Sequence, residues 1–227
     1  MATIFWDFDG TLVYSHHLWS GSMYRALTSI DPHTTVSFLQ IRECNTRGFT
    51  WQTPDRDHRA WKGEMWWLHF EAHAYSSYLS CGVEESIAAA AAALVRRFIL
   101  DVREYHLYPD ALDVLNQTSA MGHRNVILSN NYPELADTMQ QLGLLPYFDG
   151  LIVSAVEGYD KPRRELFDLA KKRYPDHKYY MIGDNPKADI VGGNNAGITT
   201  VLVHNKPYAN ADYSFTNLHN VLTILST

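Results

Sequence analysis

The sequence predicts an α/β fold: a Rossmann-like parallel sheet core with helices on both faces, plus an inserted all-helical subdomain. Three features point to it. Apolar runs of strand length alternate with helical patterns through the second half of the chain, which is the signature of a parallel sheet covered on both sides. The chain opens on another such run, Thr3 to Trp6, ending in Asp7-Phe8-Asp9-Gly10-Thr11. Roughly ninety residues then intervene before the next core helix, far more than a βα connection needs, so they must form structure of their own. The expected division is 1–13 and 108–227 for the α/β core and 14–107 for the helical insert.

In chain order, the expected strands after the first are Asn125 to Ser129, Leu151 to Ser154, Tyr179 to Ile182 and Thr199 to Val203. The expected core helices are Asp110 to Met121, Glu134 to Leu142, Arg164 to Arg173 and Asp189 to Ala196, with Gly143, Gly183 and Gly197 marking element ends. Within the insert, three sets keep helical spacing. They are Trp19, Met23, Ala26 and Ile30; then Trp61, Met65, Leu68, Ala72 and Tyr75; then Ile87, Ala91, Leu94, Phe98 and Val102. The alanine run Ala88 to Ala93 reads as a close-packed helix face, since alanine is the best helix former. Hinges are expected near Val13 to Ser15 and Glu104 to Pro109.

With 227 residues and 46% apolar content, the chain can bury a sizeable core. Its net charge of -6 argues against a broad electrostatic grip on nucleic acid or on an anionic membrane. Cys44 and Cys81 are the only cysteines and lack paired metal spacing, which suits a reducing compartment better than a disulfide scaffold. No basic region leads into an apolar core at the N-terminus, and no apolar run is long enough to span a bilayer. The expectation is a soluble cytoplasmic protein, a monomer or weak homodimer, with neither nucleic-acid nor membrane partners.

Chemistry-bearing residues recur where strands end. If Asp7 and Asp9 lie on a strand they point to one side, and two converging carboxylates repel each other. A hard cation beside them would offset that repulsion. Ser129 and Asn130 close the second expected strand, Lys161-Pro162 lies just past the third, and Gly183-Asp184-Asn185-Pro186-Lys187-Ala188-Asp189 follows the fourth. In open parallel sheets, ligands bind outside the carboxyl ends of the strands.

These four segments resemble, in order, the four motifs of the haloacid dehalogenase superfamily, and the helical insert falls where a large subgroup carries its cap. The loop from Gly48 to Pro54 is similar to one in some phosphatase-like members. The resemblance implies a Mg²⁺-dependent phosphatase that hydrolyses small phosphorylated metabolites through an aspartyl-phosphate. It makes Asp7 the nucleophile and Asp9 the acid–base partner. Asp7 and Asp184 would bind the metal through carboxylates and Asp9 through its backbone carbonyl. Ser129, the Asn130 backbone and Lys161 would hold the phosphoryl oxygens. Asp189 would support the metal site or orient its neighbours, and Thr11 would fix the turn after Asp9. Arg47 and Trp51 would meet the substrate from the cap.

The acid at position 9 separates branches of the family. A halide leaving group needs no proton, so Asp9 favours phosphoryl transfer over carbon–halogen cleavage. Phosphonate hydrolysis in the family uses a cap lysine, and nothing around Lys62, the insert's only lysine, marks that role. Two alternatives stay open, a phosphomutase on a sugar phosphate and a catalytically silent binding protein on the same fold; a third, an aspartyl-phosphate signalling receiver, is disfavoured by its nucleophile's place on a later strand and by the long insert. Singly, each motif residue has an ordinary reading, with Asp9-Gly10 a turn, Ser129 and Asp189 helix caps, Lys161 a solvated cation and Trp51 an anchor of the cap's own core. His69 and His73 are spaced i, i+4 without the glutamate of a zinc-protease motif and read as packing or surface residues.

Overall fold

The computed structural model describes residues 1–45, 48–53 and 55–225. Six parallel strands form the main sheet: β1 (Thr3–Trp6), β4 (Arg124–Ser129), β5 (Gly150–Val153), β6 (Tyr179–Gly183), β7 (Thr199–Val203) and β8 (Tyr213–Phe215). Their order is β5-β4-β1-β6-β7-β8. The chain therefore builds outward from β1 on one side, returns to its other flank, and builds outward again. The centre strand is the switch point of the topology, where adjacent crossovers diverge and leave a crevice at the carboxyl ends. Asp7 follows β1 directly, so it sits at the mouth of that crevice.

Alternation along β1 sends Ile4 and Trp6 to one face and Phe5 to the other, all fully buried. Helix α5 (Ala111–Ala120) buries Ala111, Val114 and Leu115 in the first of these cores. Helix α8 (Arg164–Arg173) buries Leu166, Phe167 and Ala170 in the second, with Phe5, Val126 and Leu128. Burial of each such side chain contributes about 1.5–3 kcal/mol, so the register of β1 is strongly enforced. Helices α6 (Leu135–Gln141), α7 (Ser154–Glu157), α9 (Gly192–Asn195) and α10 (Leu222–Leu225) complete the core.

The chain leaves the core through β2 (Val13–Tyr14) and returns through β3 (His106–Leu107), which pair as a short antiparallel ribbon. Between them lie α1 (Leu18–Ile30), α2 (Phe38–Cys44), α3 (Glu64–Ser80) and α4 (Glu85–Ile99). Ser37 caps α2 in a capping box with Gln40, and the Glu84 side chain caps α4.

The structure corrects several sequence expectations. In α3 the buried face is Trp66, Trp67, Phe70, Ala74, Ser77 and Tyr78, whereas Met65 and Leu68 of the expected face are about half exposed at 50% and 49%. The helix begins at Glu64, so Trp61 lies before it, with its ring stacked 3.8 Å from that of His69. Ser154 opens α7 rather than closing β5, and the last expected helix begins earlier, as a π-helical turn over Pro186–Val191. Strand β8 and helix α10 are additions to the expected elements. Among the described residues, no helix is long and apolar enough to cross a membrane.

Candidate active site

Strand β1 ends at Trp6, so Asp7 and Asp9 stand in the turn beyond it and not on the strand itself. That turn is held by backbone bonds: Leu12 and Val13 donate to Phe8 O at 2.9 and 3.2 Å, and Gly10 donates to Val13 O at 2.7 Å. Gly10 has φ +77°, and a Cβ there would lie 2.4 Å from Asp184 Oδ2, so glycine lets the first turn press against the carboxylate that follows β6. Among the described residues the buried Thr11 hydroxyl has no hydrogen-bond partner, which corrects the expectation that it fixes the turn.

Asp7, Asp9, Asn130, Lys161 and Asp184 line one cavity of about 210 Å³, together with Trp51, Pro162, Asn185, Lys187 and Ala188. Four separate loops, three of them directly following β1, β4 and β6, thus deliver polar groups to one place. Ser129 is buried at the end of β4 and is not part of the cavity wall. Asn130 fixes the lysine loop: its Nδ2 donates to Lys161 O at 2.9 Å, and Lys161 N donates to its Oδ1 at 2.7 Å.

Lys161 is 1% exposed and is the cation at the centre of the site. Its Nζ lies 2.6 Å from Asp189 Oδ1 and 3.0 Å from Asp7 Oδ1. Burial disfavours its charge, but the Asp189 and Asp7 carboxylates outweigh that and hold its pKa above the usual lysine value. Asp189, fully buried, also accepts from Asn185 N at 2.9 Å through Oδ2. Both its oxygens are thereby engaged, which orients Lys161 and the start of the Pro186–Val191 turn.

Asp9 differs from Asp7. Its Oδ2 accepts from Asn131 Nδ2 at 2.8 Å, while its Oδ1 is shut off from solvent without a partner among the described residues. Burial, reinforced by the charge of Asp7, pushes its carboxyl up to about 7 against the opposing effects of Asn131 and Lys161. Burial and the charges of Asp7 and Asp189 push Asp184 up to about 8. The carboxylates of Asp7, Asp184 and Asp189 can each bring one oxygen within 4.8 Å of the others. Three acids against the one buried lysine, Lys187 being exposed, leave excess negative charge, and an all-oxygen donor set fits a hard divalent cation. Because Lys161 and the Asn185 amide already occupy Asp189, Asp7 and Asp184 are the carboxylates with room for such an ion.

From the helical insert, Trp51 reaches the cavity while stacking on Phe49 (centroids 4.6 Å apart, planes 17°) and meeting Trp19 at 5.5 Å. It is both an anchor of the insert's aromatic core and part of the cavity wall. Arg47, the other expected contact, lies outside the described residues. The loop carrying Trp51 is tied to the lysine loop by a buried network in which Thr50 Oγ1 donates to Asp160 Oδ1 at 2.9 Å and His58 Nδ1 meets Asp160 Oδ2 at 3.1 Å. Asp160 immediately precedes Lys161. Sequence reasoning missed Asn131, Lys187 and this Thr50–Asp160–His58 network. Asn131, Lys187 and Thr50 adjoin or lie within recognised segments, whereas His58 gives no local signal.

A family model described as haloacid dehalogenase-like hydrolase matches residues 1–197. Among curated proteins, the chain is 35% identical over 97 residues to pyrimidine 5'-nucleotidase YjjG of Escherichia coli, covering 40% of this chain and 42% of that protein. It is 31% identical over 113 residues to a phosphoserine phosphatase of Thermus thermophilus, covering 48% and 45%. The chain thus spans less than half the length of either relative. Among solved structures, it superimposes on the haloacid dehalogenase-type hydrolase YfnB of Bacillus subtilis with TM-score 0.73 at 22% identity, covering 100% of this chain and 99% of that one. A phosphatase of Thermococcus onnurineus gives TM-score 0.68 at 19% identity, covering 99% and 98%. These two likenesses show the fold.

Proposed function

Since the chain belongs to the haloacid dehalogenase-like hydrolase family, we propose that it is a phosphatase acting on small phosphorylated metabolites, with Asp7 as nucleophile and Asp9 as acid–base partner. The observation that carries this reading is the convergence of Asp7, Asp9, Asn130, Lys161 and Asp184 on one cavity. The relatives support the reaction class while differing in substrate, being named for a pyrimidine nucleotide, phosphoserine, ribulose bisphosphate and glyceraldehyde 3-phosphate.

The two aspartates divide the work by environment. Asp7 Oδ1 accepts from Phe8 N at 2.8 Å and from Lys161, which leaves Oδ2 to attack phosphorus. As the new P–O bond forms, the bond to the leaving oxygen breaks, and Asp9 gives that oxygen its proton. A carboxyl pushed up to about 7 still holds a proton near neutrality. In the second step Asp9 removes a proton from water as the water oxygen attacks the aspartyl-phosphate. Phosphate departs and the Asp7 carboxylate is restored. Lys161 and the Asn130 backbone would stabilise the charge spread over the phosphoryl oxygens. Ser129, at the same strand end, would join them with its hydroxyl once phosphate is in place.

Asp7 and Asp184, with the Asp9 carbonyl, would hold Mg²⁺, which when bound offsets the substrate's negative charge. The excess of buried carboxylate supports this assignment, and the YfnB structure is described as bound to magnesium. Trp51, on the insert, would lie against the leaving group, and the β2–β3 ribbon would act as hinge for residues 14–107 as a cap over core residues 1–13 and 108–227.

A phosphate-release screen over a metabolite panel and p-nitrophenyl phosphate tests the reading. Turnover is expected with Mg²⁺, loss of it in EDTA, and no turnover above background from a folded Asp7→Asn variant. Absence of phosphate release from every compound with Mg²⁺, or normal turnover by Asp7→Asn, overturns it.

A further inference from the structure

The chain's only two cysteines take no part in that chemistry, yet they meet. Cys44 is the last residue of α2, Cys81 directly follows α3, and their sulfurs stand 2.7 Å apart although 37 positions separate them in sequence. Unbonded sulfur atoms pack farther apart than this, while a disulfide bond is about 2.05 Å long. Both residues are half-buried free thiols, within reach of a small reagent. Burial and the adjacent Cys44 push the Cys81 thiol up to about 12, so Cys81 is a poor first nucleophile.

We propose that Cys44 and Cys81 form a redox-modification site, a dithiol that closes to an intramolecular disulfide by exchange with a small external disulfide of the oxidised-glutathione type. In the first exchange Cys44 Sγ, as thiolate, attacks one sulfur of the reagent. The reagent's S–S bond breaks and one thiolate leaves with its electron pair. Cys81 Sγ then attacks Cys44 Sγ in the mixed disulfide, its proton passing to solvent or to the second departing thiolate. The two protein thiols are oxidised, and the external disulfide is reduced to two thiols.

The bridge would act on the insert. Helix α2 runs directly into Asn45, whose Oδ1 lies 2.8 Å from His73 Nε2, and Gly48 O lies 3.0 Å from His69 Nε2. Both histidines are on α3. Those two noncovalent contacts hold Asn45 and Gly48 against α3, and a Cys44–Cys81 bond would add a covalent clamp between the end of α2 and the end of α3.

The test uses the purified protein, first fully reduced and then held in excess oxidised glutathione. The expected product has an intact mass lower by two hydrogens, no titratable thiol under native conditions, and one cross-linked proteolytic peptide pair containing Cys44 and Cys81. Its unfolding midpoint should lie about 5 °C or more above that of the reduced protein, a shift reversed by dithiothreitol. Cys44→Ser and Cys81→Ser should each lose the cross-link, and Cys81→Ser should instead form a glutathione adduct at Cys44. Persistence of two free thiols, or stable glutathione adducts without the cross-link in the wild type, overturns the proposal. These readouts are independent of phosphatase activity.

Discussion

Replacing Lys161 with methionine removes one charge and almost no volume, so it isolates what that cation does for the fold. Two carboxylates lose their partner: Asp189, 0% exposed, and Asp7, 13% exposed by side chain. Breaking a buried pair by deleting one member costs about 3–5 kcal/mol, because the remaining charge stays desolvated. Each carboxylate keeps one backbone donor, Asn185 N for Asp189 and Phe8 N for Asp7, which favours the lower part of that range. A second limit comes from protonation. Burial already raises the Asp189 carboxyl to about 6 in the folded wild type, so without Lys161 it can shed its remaining charge at a cost of about 1.36 kcal/mol for each unit by which the pH exceeds that value. That ceiling on the Asp189 share is about 1.4 kcal/mol at pH 7 and close to zero at pH 5. The folded variant raises the carboxyl's pKa further, so the added penalty grows as pH rises above the wild-type value and vanishes on acidification below it. Urea denaturation in EDTA should show Lys161→Met destabilised by about 1–3 kcal/mol at pH 7 and by less than about 1 kcal/mol at pH 5. Adding Asp189→Asn should recover much of the loss at pH 7. A loss below about 1 kcal/mol at pH 7, or one independent of pH, refutes the reasoning.

Three further outcomes are expected. Asp9→Asn should keep the first-turnover burst of p-nitrophenol from p-nitrophenyl phosphate, whose leaving group needs no proton, while steady turnover falls by about 10²–10⁴-fold. Rapid-quench measurement checks this, and unchanged steady turnover contradicts the acid–base role. His73 is pushed from 6.5 down to about 4, by burial first and by His69 second, so the unfolded chain binds its proton at higher pH than the folded one. Stability present above pH 6.5 should therefore be lost as pH falls toward 4. With partial exposure discounted, the amount is about 1–2 kcal/mol, and it should be absent from the pH dependence of His73→Gln urea midpoints. Gly10→Ala places a Cβ 2.4 Å from Asp184 Oδ2 at φ +77°, and should cost about 2 kcal/mol or more together with most of the activity. Wild-type stability and turnover in that variant would contradict the close approach of the two loops.

The sequence by itself determined five of the main sheet's strands, because their apolar runs have few other uses, as at Thr3 to Trp6, which is buried at every position, whereas β8 was not legible. It also marked the candidate side chains, since Asp7, Asp9 and Asp184 follow strands, Lys161 follows the short helix α7 after β5, and the sheet's parallel order brings such ends together. Helical phase in the insert was not legible. Met65, Leu68, Ala72 and Tyr75 are as periodic as Trp66, Phe70, Ala74 and Tyr78, and the choice between the two faces rests on long-range partners, Trp19 and Met23 of α1 and Tyr132 of the core, that meet the buried one. Tertiary structure alone decided the unequal environments of the two aspartates, because the burial that pushes Asp9 up to about 7 and the Asn131 bond that opposes it arise only when distant segments close over the turn. It alone joined Thr50 and His58 to Asp160, and Cys44 to Cys81. Such pairs are long-range, and no local spacing records which partners a chain brings together when its apolar faces are buried.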